Sequence, residues 1–163
     1  DDRLWAIYQQ GSEFLHAAGF TDYEVSAWSR PGRESRHNLN YWLFGDYLAL
    51  GAGAHGKVSL QDGRIIRYWK TRQPDAYLNR IGSRTSGTEA IEPEDRALEF
   101  MMNALRLKQG ADERLFSERT GLPLSTVAVQ LGSLRKQGLL TPHRIQATEQ
   151  GQRYLNSLLE QFL

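Results

Sequence analysis

The 163-residue chain is 40% hydrophobic and 24% charged, which is the balance of a soluble globular protein with one large or two small domains. Its formal net charge of +1 excludes an overall field that would attract nucleic acid or an anionic membrane, so such binding would need a local patch. The absence of cysteine excludes disulfides, thiolate zinc sites and iron–sulfur ligation by this chain alone.

No apolar run approaches the roughly 20 residues that a membrane-spanning helix requires, and the first residues lack a signal-peptide pattern. We therefore expect a cytoplasmic protein. The sequence begins at Asp1, without a methionine and directly in a helical pattern, which is typical of a fragment or a processed product. The function is then expected to depend in part on residues upstream.

The first part of the chain has the helices and strands of an α/β domain. Asp1 and Asp2 are predicted to cap an amphipathic helix that ends at Gly19. The segment YEVSAW, residues 23–28, alternates apolar and polar side chains and predicts one strand. The segment DYLALGAGA, residues 46–54, is apolar without alternation, which predicts a strand covered on both faces and ending in glycines, where α/β folds bind ligands.

A β-hairpin and a linker are predicted next. Two β-rich runs surround Asp62 and Gly63 in the segment KVSLQDGRIIRYW, which is a hairpin pattern. A short helix is predicted to begin near Pro74. The polar segment GSRTSGTEAIEPED is predicted to be a linker, with a domain boundary near residues 83–92. This boundary divides the chain into two domains, residues 1–84 and 85–163.

The second half has the pattern of helices packed around one core. One helix is predicted from Pro93, a second ends at Gly121 and a third follows it. The segment LLTPHRIQAT predicts a small hairpin, and a last helix closes the chain. Three helices, a wing and a closing helix predict a winged-helix module, so the whole chain is of the α+β class. The helix residues predicted to face inward are Leu98, Met101, Met102, Leu105, Val127, Leu131, Leu134, Leu155, Leu158, Leu159 and Phe162.

A winged helix is often a nucleic-acid-binding module, but the charges here favour a docking or interaction domain. From Asp112 onward the sequence has six Lys or Arg and five Asp or Glu, which leaves almost no surplus for phosphate contacts. The cations Arg135 and Lys136 lie at the far end of the predicted recognition helix. Its N-terminal half, where base contacts usually lie, offers only Ser125, Thr126 and Gln130.

Residues 34–58, ESRHNLNYWLFGDYLALGAGAHGKV, hold the clearest chemical signal. His37 and Tyr41 are four residues apart, so in a strand or a helical turn they project to the same side and one ligand could meet both. An imidazole can ligate haem iron or act as an acid or base, and aromatic neighbours can cover a macrocycle. The alternative from the residues alone is a structural histidine beside buried aromatic side chains.

The glycines of the segment GAGAHG let the backbone approach a ligand, or they form only a tight turn. His55, among them, either caps this loop or touches a ligand there. His16 and His143 lie in no motif or glycine-rich loop that would indicate a function. The sequence contains no paired carboxylates, HExxH motif, P-loop or nucleophile elbow, and therefore shows no self-sufficient catalytic site.

The segments RHNLNYW, FGDYLALGAGAHGKV and DGRIIRYWKTRQPDAYL closely resemble the HemW family of haem chaperones, and the resemblance extends over nearly the whole chain. These proteins use radical S-adenosylmethionine (SAM) motifs and are related to oxygen-independent coproporphyrinogen III oxidases. The resemblance implies that this chain supplies the last strands and helix of a partial α/β barrel with a β-hairpin. A C-terminal winged-helix-like domain then follows, thought to help cover the substrate.

The resemblance also implies cofactors and site residues. In the intact parent a CxxxCxxC motif upstream binds a [4Fe-4S] cluster and most of the barrel holds SAM, so this chain alone is expected to hold no cofactor and to lack radical chemistry. By motif position, the residues bordering SAM are Ser29, Ala54 and His55. The segment HNLNYW resembles an HNxxYW haem-binding motif. The resemblance makes His37 the candidate ligand of haem iron. It makes Asn38, Tyr41 and Trp42 candidate haem-binding residues beside it.

The resemblance implies three partners: the upstream barrel, haem and haem-accepting respiratory proteins of the membrane. The sequence also allows a homo-oligomer. Two alternative functions remain at this point. The parent is an oxygen-independent coproporphyrinogen III oxidase, which decarboxylates its substrate through a SAM-derived radical, or the chain is a winged-helix nucleic-acid-binding protein.

Overall fold

The computed structural model describes residues 2–163. The predicted cap by Asp1 and the side chain of Asp2 lies outside the described residues. The helices are α1 (Asp2–Ala17), α2 (Arg36–Trp42), α3 (Pro74–Asn79), α4 (Pro93–Ala104), α5 (Glu113–Thr120), α6 (Ala128–Lys136), α7 (Glu149–Arg153) and α8 (Leu155–Leu159), with 3₁₀ turns at Leu124–Val127 and Glu160–Phe162. The strands are β1 (Thr21–Glu24), β2 (Ala27–Ser29), β3 (His55–Ser59), β4 (Ile65–Lys70) and β5 (Thr85–Ile91).

The segment YEVSAW is a β-hairpin, so the prediction of one strand was wrong. β1 and β2 pair antiparallel, with a turn at Val25 and Ser26 between them. The Glu24 carboxylate accepts a hydrogen bond from the Ser26 backbone N–H at 2.8 Å and closes the turn. The Val25 N–H donates to the Arg106 carbonyl at 3.1 Å, so a neighbouring loop also holds this turn. Local side-chain hydrogen bonding of this kind competes with strand formation.

The segment DYLALGAGA is not a strand here, which corrects a second prediction. Tyr47 forms one isolated bridge with Lys57, and the segment has no further ladder. Leu48 and Leu50 are 71% and 84% exposed, whereas Ala49 between them is 3% exposed. A strand needs a neighbour to satisfy its backbone groups, and within residues 2–163 the chain offers none to Leu48 or Leu50.

The predicted hairpin around Gly63 is confirmed, and Gly63 has a positive φ of 83°. The predicted helix from Pro74 is confirmed as α3. The predicted linker was wrong, because β5 pairs antiparallel with β4 and completes a three-stranded sheet in the order β3-β4-β5. Its polar, glycine-containing sequence suits an exposed edge strand, where few side chains are buried.

The helices of the second half form as predicted, with corrections to which residues face inward. In α4, Met101 is buried but Met102 is 49% exposed, and Leu98 is only half-buried. Arg96, Phe100 and Ala104 occupy the inner face instead, at the spacing of four that one helix face requires.

The remaining helices follow the sequence more closely. Gly121 ends α5 with a φ of 73°, and Val127, Leu131 and Leu134 are buried as predicted. The closing helix is interrupted at Tyr154 into α7 and α8, with Leu158 fully buried. The predicted wing, residues 139–148, contains isolated bridges and no ladder. Within residues 2–163, no helix has the length and apolar content needed to cross a bilayer.

One hydrophobic core joins the sheet to the helices. The ring of Phe100 lies edge-on to Phe44 at 6.1 Å and to Phe116 at 5.3 Å between centroids. The buried Arg96 donates to three backbone carbonyls from different elements. Its Nε donates to Ile91 at the end of β5, and its Nη1 donates to Gly63 in the hairpin turn and to Thr120 at the end of α5, at 3.0, 3.2 and 3.1 Å.

We predict that Arg96→Met lowers the free energy of unfolding by about 3 kcal/mol, because the buried carbonyls of Ile91 and Thr120 and the part-buried carbonyl of Gly63 lose their donor. Urea denaturation of the two proteins measures this difference. Arg119→Met, at an exposed position of α5, is the matched control and should leave the denaturation midpoint nearly unchanged. Equal midpoints for Arg96→Met and the control would contradict this role.

Candidate functional site

The helix α2 consists of the motif segment RHNLNYW. The side chain of Ser35 caps it by accepting a hydrogen bond from the Asn38 backbone N–H at 3.3 Å. The helical spacing places His37 and Tyr41 on the same side, as predicted, with ring centroids 4.8 Å apart. His37 is exposed and Tyr41 is half-buried, so a ligand can approach the imidazole from solvent.

Tyr47 adds a third ring from outside the helix. It stacks on Tyr41 with centroids 4.0 Å apart and planes at 24°. We call His37, Tyr41 and Tyr47 the aromatic row. Burial raises the pKa of Tyr47 and the neighbouring Tyr41 raises it further, so the phenol stays protonated at neutral pH. The sequence analysis assigned no role to Tyr47; its place after a glycine-containing turn beside the motif was the available signal.

Asn38 and Trp42, the other two motif residues, face the β1–β2 hairpin and its neighbouring loop. Asn38 donates from Nδ2 to the Tyr23 hydroxyl at 3.0 Å. The Arg106 guanidinium lies over the Trp42 ring at 4.4 Å from its centroid and pairs with the buried Glu24 carboxylate at 3.1 Å. The motif therefore divides into an outward pair, His37 and Tyr41, and an anchoring pair.

The turn after α2 explains how Tyr47 reaches Tyr41. Phe44 is buried and has a φ of 56°, which is rare for a residue with a Cβ. Gly45 follows, and a Cβ there would lie 2.1 Å from Asn40 Oδ1, so no larger residue fits. Asn40 Nδ2 donates to the Asp46 carbonyl at 2.8 Å. The second asparagine of the motif thus fastens the turn to the helix, a role that the sequence analysis missed.

Lys57 holds this turn from the sheet side. Its side chain is buried, and its Nζ donates to the Phe44 carbonyl and to Asp46 Oδ1, both at 3.1 Å. The same Nζ lies 4.2 Å from the centroid of the Phe44 ring. Burial lowers the pKa of Lys57, and the hydrogen bond that its Nζ donates to Asp46 offsets part of that effect. Lys57 therefore ties β3 to the residues between Tyr41 and Tyr47.

Asp46 is the carboxylate partner of this buried amine. It accepts hydrogen bonds from the Ser59 backbone N–H at 2.8 Å and the Ser59 hydroxyl at 3.0 Å, in addition to Lys57. Burial on its own would raise the pKa of Asp46, but the hydrogen bonds from Ser59 and Lys57 lower it below its ordinary value.

A cleft of about 350 Å³ lies beside α2, between that helix and the residues before and within α5. Leu39 and Leu43 line it from α2, and Leu107 and Leu115 line it from the second half of the chain. The outward residues His37 and Tyr41 do not line this cleft. The helix therefore has an apolar side toward the cleft and an aromatic side toward Tyr47.

Arg135, near the end of α6, is bonded to other residues of the protein. Arg135 pairs with Glu113, and its Nε donates to the Thr141 carbonyl at 3.2 Å. One of the two cations considered for nucleic-acid binding is thus occupied. Within the described residues, no group of three or more His, Cys, Asp or Glu side chains is arranged to hold a metal ion.

Known HemW and HemN proteins resemble this chain. Residues 91–154 match the family described as HemN C-terminal domain. The heme chaperone HemW of Escherichia coli is 46% identical over the whole chain, which covers 43% of that protein. HemW of Haemophilus influenzae is 42% identical with the same coverage. This chain is a C-terminal part of a HemW-type protein.

More distant relatives share this region. A mitochondrial radical S-adenosyl methionine domain-containing protein 1 from Bos taurus is 32% identical over 94% of this chain and 37% of its own length. The solved structure of coproporphyrinogen III oxidase (HemN) from Escherichia coli, titled a radical SAM enzyme, has a TM-score of 0.62 and 16% identity over 96% of this chain and 40% of that chain. This likeness shows a shared mixed α and β fold. The HemW-type chain spans about two fifths of the relatives' length.

The three residues predicted to border SAM lie in two places in this HemW-type chain. Ser29 is in β2, and its Oγ is buried without a hydrogen-bond partner within residues 2–163. Ala54 precedes β3, and the exposed His55 begins β3 with its ring stacked on Trp69 at 6.3 Å between centroids. In the described residues no hydrogen bond or ring contact joins Ser29 to the other two.

We predict that Asp46→Asn lowers the free energy of unfolding by about 1 kcal/mol at neutral pH, because Ser59 and Lys57 lose a charged acceptor. The folded pKa of Asp46 is below its ordinary value of 3.8, so its contribution is present above pH 3.8 and is lost as pH falls through the folded pKa. Urea denaturation at several pH values measures this, with the exposed Glu118→Gln as the control. Parallel pH curves for wild type and Asp46→Asn would contradict it.

Proposed function

We propose that the full-length protein is a cytoplasmic haem chaperone and that this chain carries its haem-contacting helix. The supporting observation is the aromatic row: an exposed His37 imidazole lies against Tyr41, which stacks on Tyr47, in a segment that resembles a haem-binding motif. The HemW relatives are named heme chaperones, and this chain matches two fifths of their length. The activity of the whole protein is therefore part of the proposal.

The residues present fit a haem group. Within residues 2–163, no hydrogen bond or ion pair engages the His37 imidazole, so either nitrogen is available to a ligand. A bound haem would supply an iron that the neutral imidazole of His37 could ligate. The Tyr41 ring contacts the imidazole on one side, with centroids 4.8 Å apart. Asn38 and Trp42 hold the helix in place through Tyr23 and Arg106.

We propose that the other two cofactors, the [4Fe-4S] cluster and SAM, are held mainly by the part of the protein upstream of this chain. With no cysteine in 163 residues, this chain does not fit a [4Fe-4S] cluster, and no step through a cluster is derived from it. For SAM, we propose that Ser29, Ala54 and His55 line its border. The buried Oγ of Ser29, which lacks a partner among the described residues, supports this proposal because such atoms usually bind water or a ligand.

We also propose that the upstream part of the protein covers exposed apolar side chains of this chain and continues its partial barrel. On α1 the large side chains Leu4, Ile7 and Phe14 are exposed, and so are Leu48 and Leu50 on the extended segment after Tyr47. Exposed apolar surface of this extent usually marks an interface. The C-terminal winged-helix-like domain, predicted as residues 85–163, then packs behind α2 as a docking domain, with its first strand β5 paired to β4 of the preceding part.

The alternatives raised by the sequence gain no support. The likeness to the coproporphyrinogen III oxidase is 16% identical and concerns the fold alone. Nucleic-acid binding is disfavoured by the charge balance and by the occupied Arg135. The proposed recipient of haem is a respiratory protein of the membrane, with membrane association through that recipient; a homo-oligomer remains part of the proposal.

We predict that the full-length protein binds haem with a shifted absorbance spectrum and that His37→Ala abolishes this shift, because the mutant lacks the axial ligand. Haem titration followed by absorbance measures it. His143→Ala, at an exposed histidine of the second half, is the matched control and should titrate like wild type. Unchanged binding by His37→Ala would remove His37 from the site, and a wild type that binds no haem would contradict the chaperone proposal.

We predict that the amides of Leu48 and Leu50 exchange hydrogen at least about tenfold more slowly in the full-length protein than in this chain alone, because an upstream neighbour gives them acceptors. Hydrogen exchange with mass spectrometry or NMR measures both forms. The amide of Lys57, already bonded to the Tyr47 carbonyl at 3.0 Å, serves as the internal control. Equal exchange of Leu48 and Leu50 in both forms would contradict an interface at this segment.

A further inference from the structure

The aromatic row joins two segments of the chain. His37 and Tyr41 are on one face of α2, whereas Tyr47 lies beyond the turn at Phe44 and Gly45. The closest pair in the row is Tyr41 and Tyr47, at 4.0 Å and a nearly parallel 24°, and the pair of His37 and Tyr41 is tilted at 54°. The Tyr41 ring is thus flanked by His37 and by Tyr47.

The backbone of Tyr47 is fixed from the sheet. Its N–H donates to the Lys57 carbonyl at 2.9 Å, and its carbonyl accepts from the Lys57 N–H at 3.0 Å. The adjacent Asp46 is tied to Lys57 and Ser59, as described above. By contrast, α2 has only seven residues and none of them is fully buried, so its own packing constrains its side chains less. Of the three residues in the aromatic row, Tyr47 therefore has the most tightly fixed backbone.

We infer that Tyr47 is a positioning residue of the haem site. Its ring stacks on Tyr41 and keeps the Tyr41 ring in contact with the His37 imidazole. This contact fixes the orientation in which an imidazole nitrogen reaches the haem. This inference rests on the proposed function. Tyr47 acts through Tyr41, and its effect comes from the ring stack, so a phenylalanine can replace it and an aliphatic side chain cannot.

The experiment compares Tyr47→Leu and Tyr47→Phe in the full-length protein by haem titration and by electron paramagnetic resonance of the ferric complex. We expect Tyr47→Leu to weaken haem binding about 3- to 10-fold and to broaden the resonance of the axially ligated iron, because the imidazole takes several orientations. Tyr47→Phe should match wild type in both readouts. Tyr77→Leu, which removes a tyrosine of α3 outside the row, is the matched control and should also match wild type.

The outcomes separate this inference from the proposed function. Loss of haem binding in His37→Ala, together with wild-type affinity and resonance in Tyr47→Leu, overturns the positioning role and leaves the chaperone proposal intact. A wild type that binds no haem overturns both. Thermal unfolding of the apoproteins checks that each variant folds, and Tyr47→Met, which keeps an unbranched apolar chain of similar length, replaces Tyr47→Leu if that variant is unfolded.

Discussion

The turn after α2 is held by a buried lysine, and the candidate site depends on that contact. The amine of Lys57 donates to the Phe44 carbonyl, pairs with Asp46 and lies against the Phe44 ring. A buried ammonium requires such partners, because desolvation without them is costly. With the turn fixed, the backbone of Tyr47 bonds to β3 and its ring meets Tyr41. The arrangement of the aromatic row is therefore set by the sheet as well as by the helix.

The second half of the chain also contacts the motif residue Trp42 and the turn after α2. Phe44 contacts Phe100 of α4, and Arg106, after α4, holds Trp42 and Glu24. Arg96 joins the sheet, its hairpin turn and α5 through backbone carbonyls. The HemN C-terminal domain, matched at residues 91–154, thus shares a core with Phe44 in the turn after the motif helix. Trp42 of the anchoring pair contacts this domain through Arg106, whereas Asn38 bonds Tyr23 of the β1–β2 hairpin.

Sequence patterns predicted α1, α3 and α4 to α6, the Gly63 hairpin and the shared side of His37 and Tyr41, since each depends on local spacing. They left the segment of α2 open between a strand and a helical turn, and they predicted one closing helix where the structure has α7 and α8. They failed where the decisive partner is distant. The carbonyl of the distant Arg106 holds the turn of the YEVSAW hairpin, in addition to the local bond from Ser26 to Glu24. Leu48 and Leu50 lack a neighbour within residues 2–163 that would make their segment a strand. Tyr47 and Lys57 were missed for the same reason, because their roles arise from contacts across the turn and the sheet. Arg96 carries no signal of burial in its residue type.

The most direct test of the central claim is NMR of the full-length protein, with histidine and tyrosine side chains labelled, titrated with zinc protoporphyrin. This diamagnetic macrocycle takes an axial imidazole and shifts the signals of nearby protons through its ring current. We expect large upfield shifts for His37 and Tyr41, a smaller one for Tyr47, and none for His143. Shifts confined to His55 or His143, with His37 unmoved, would contradict it.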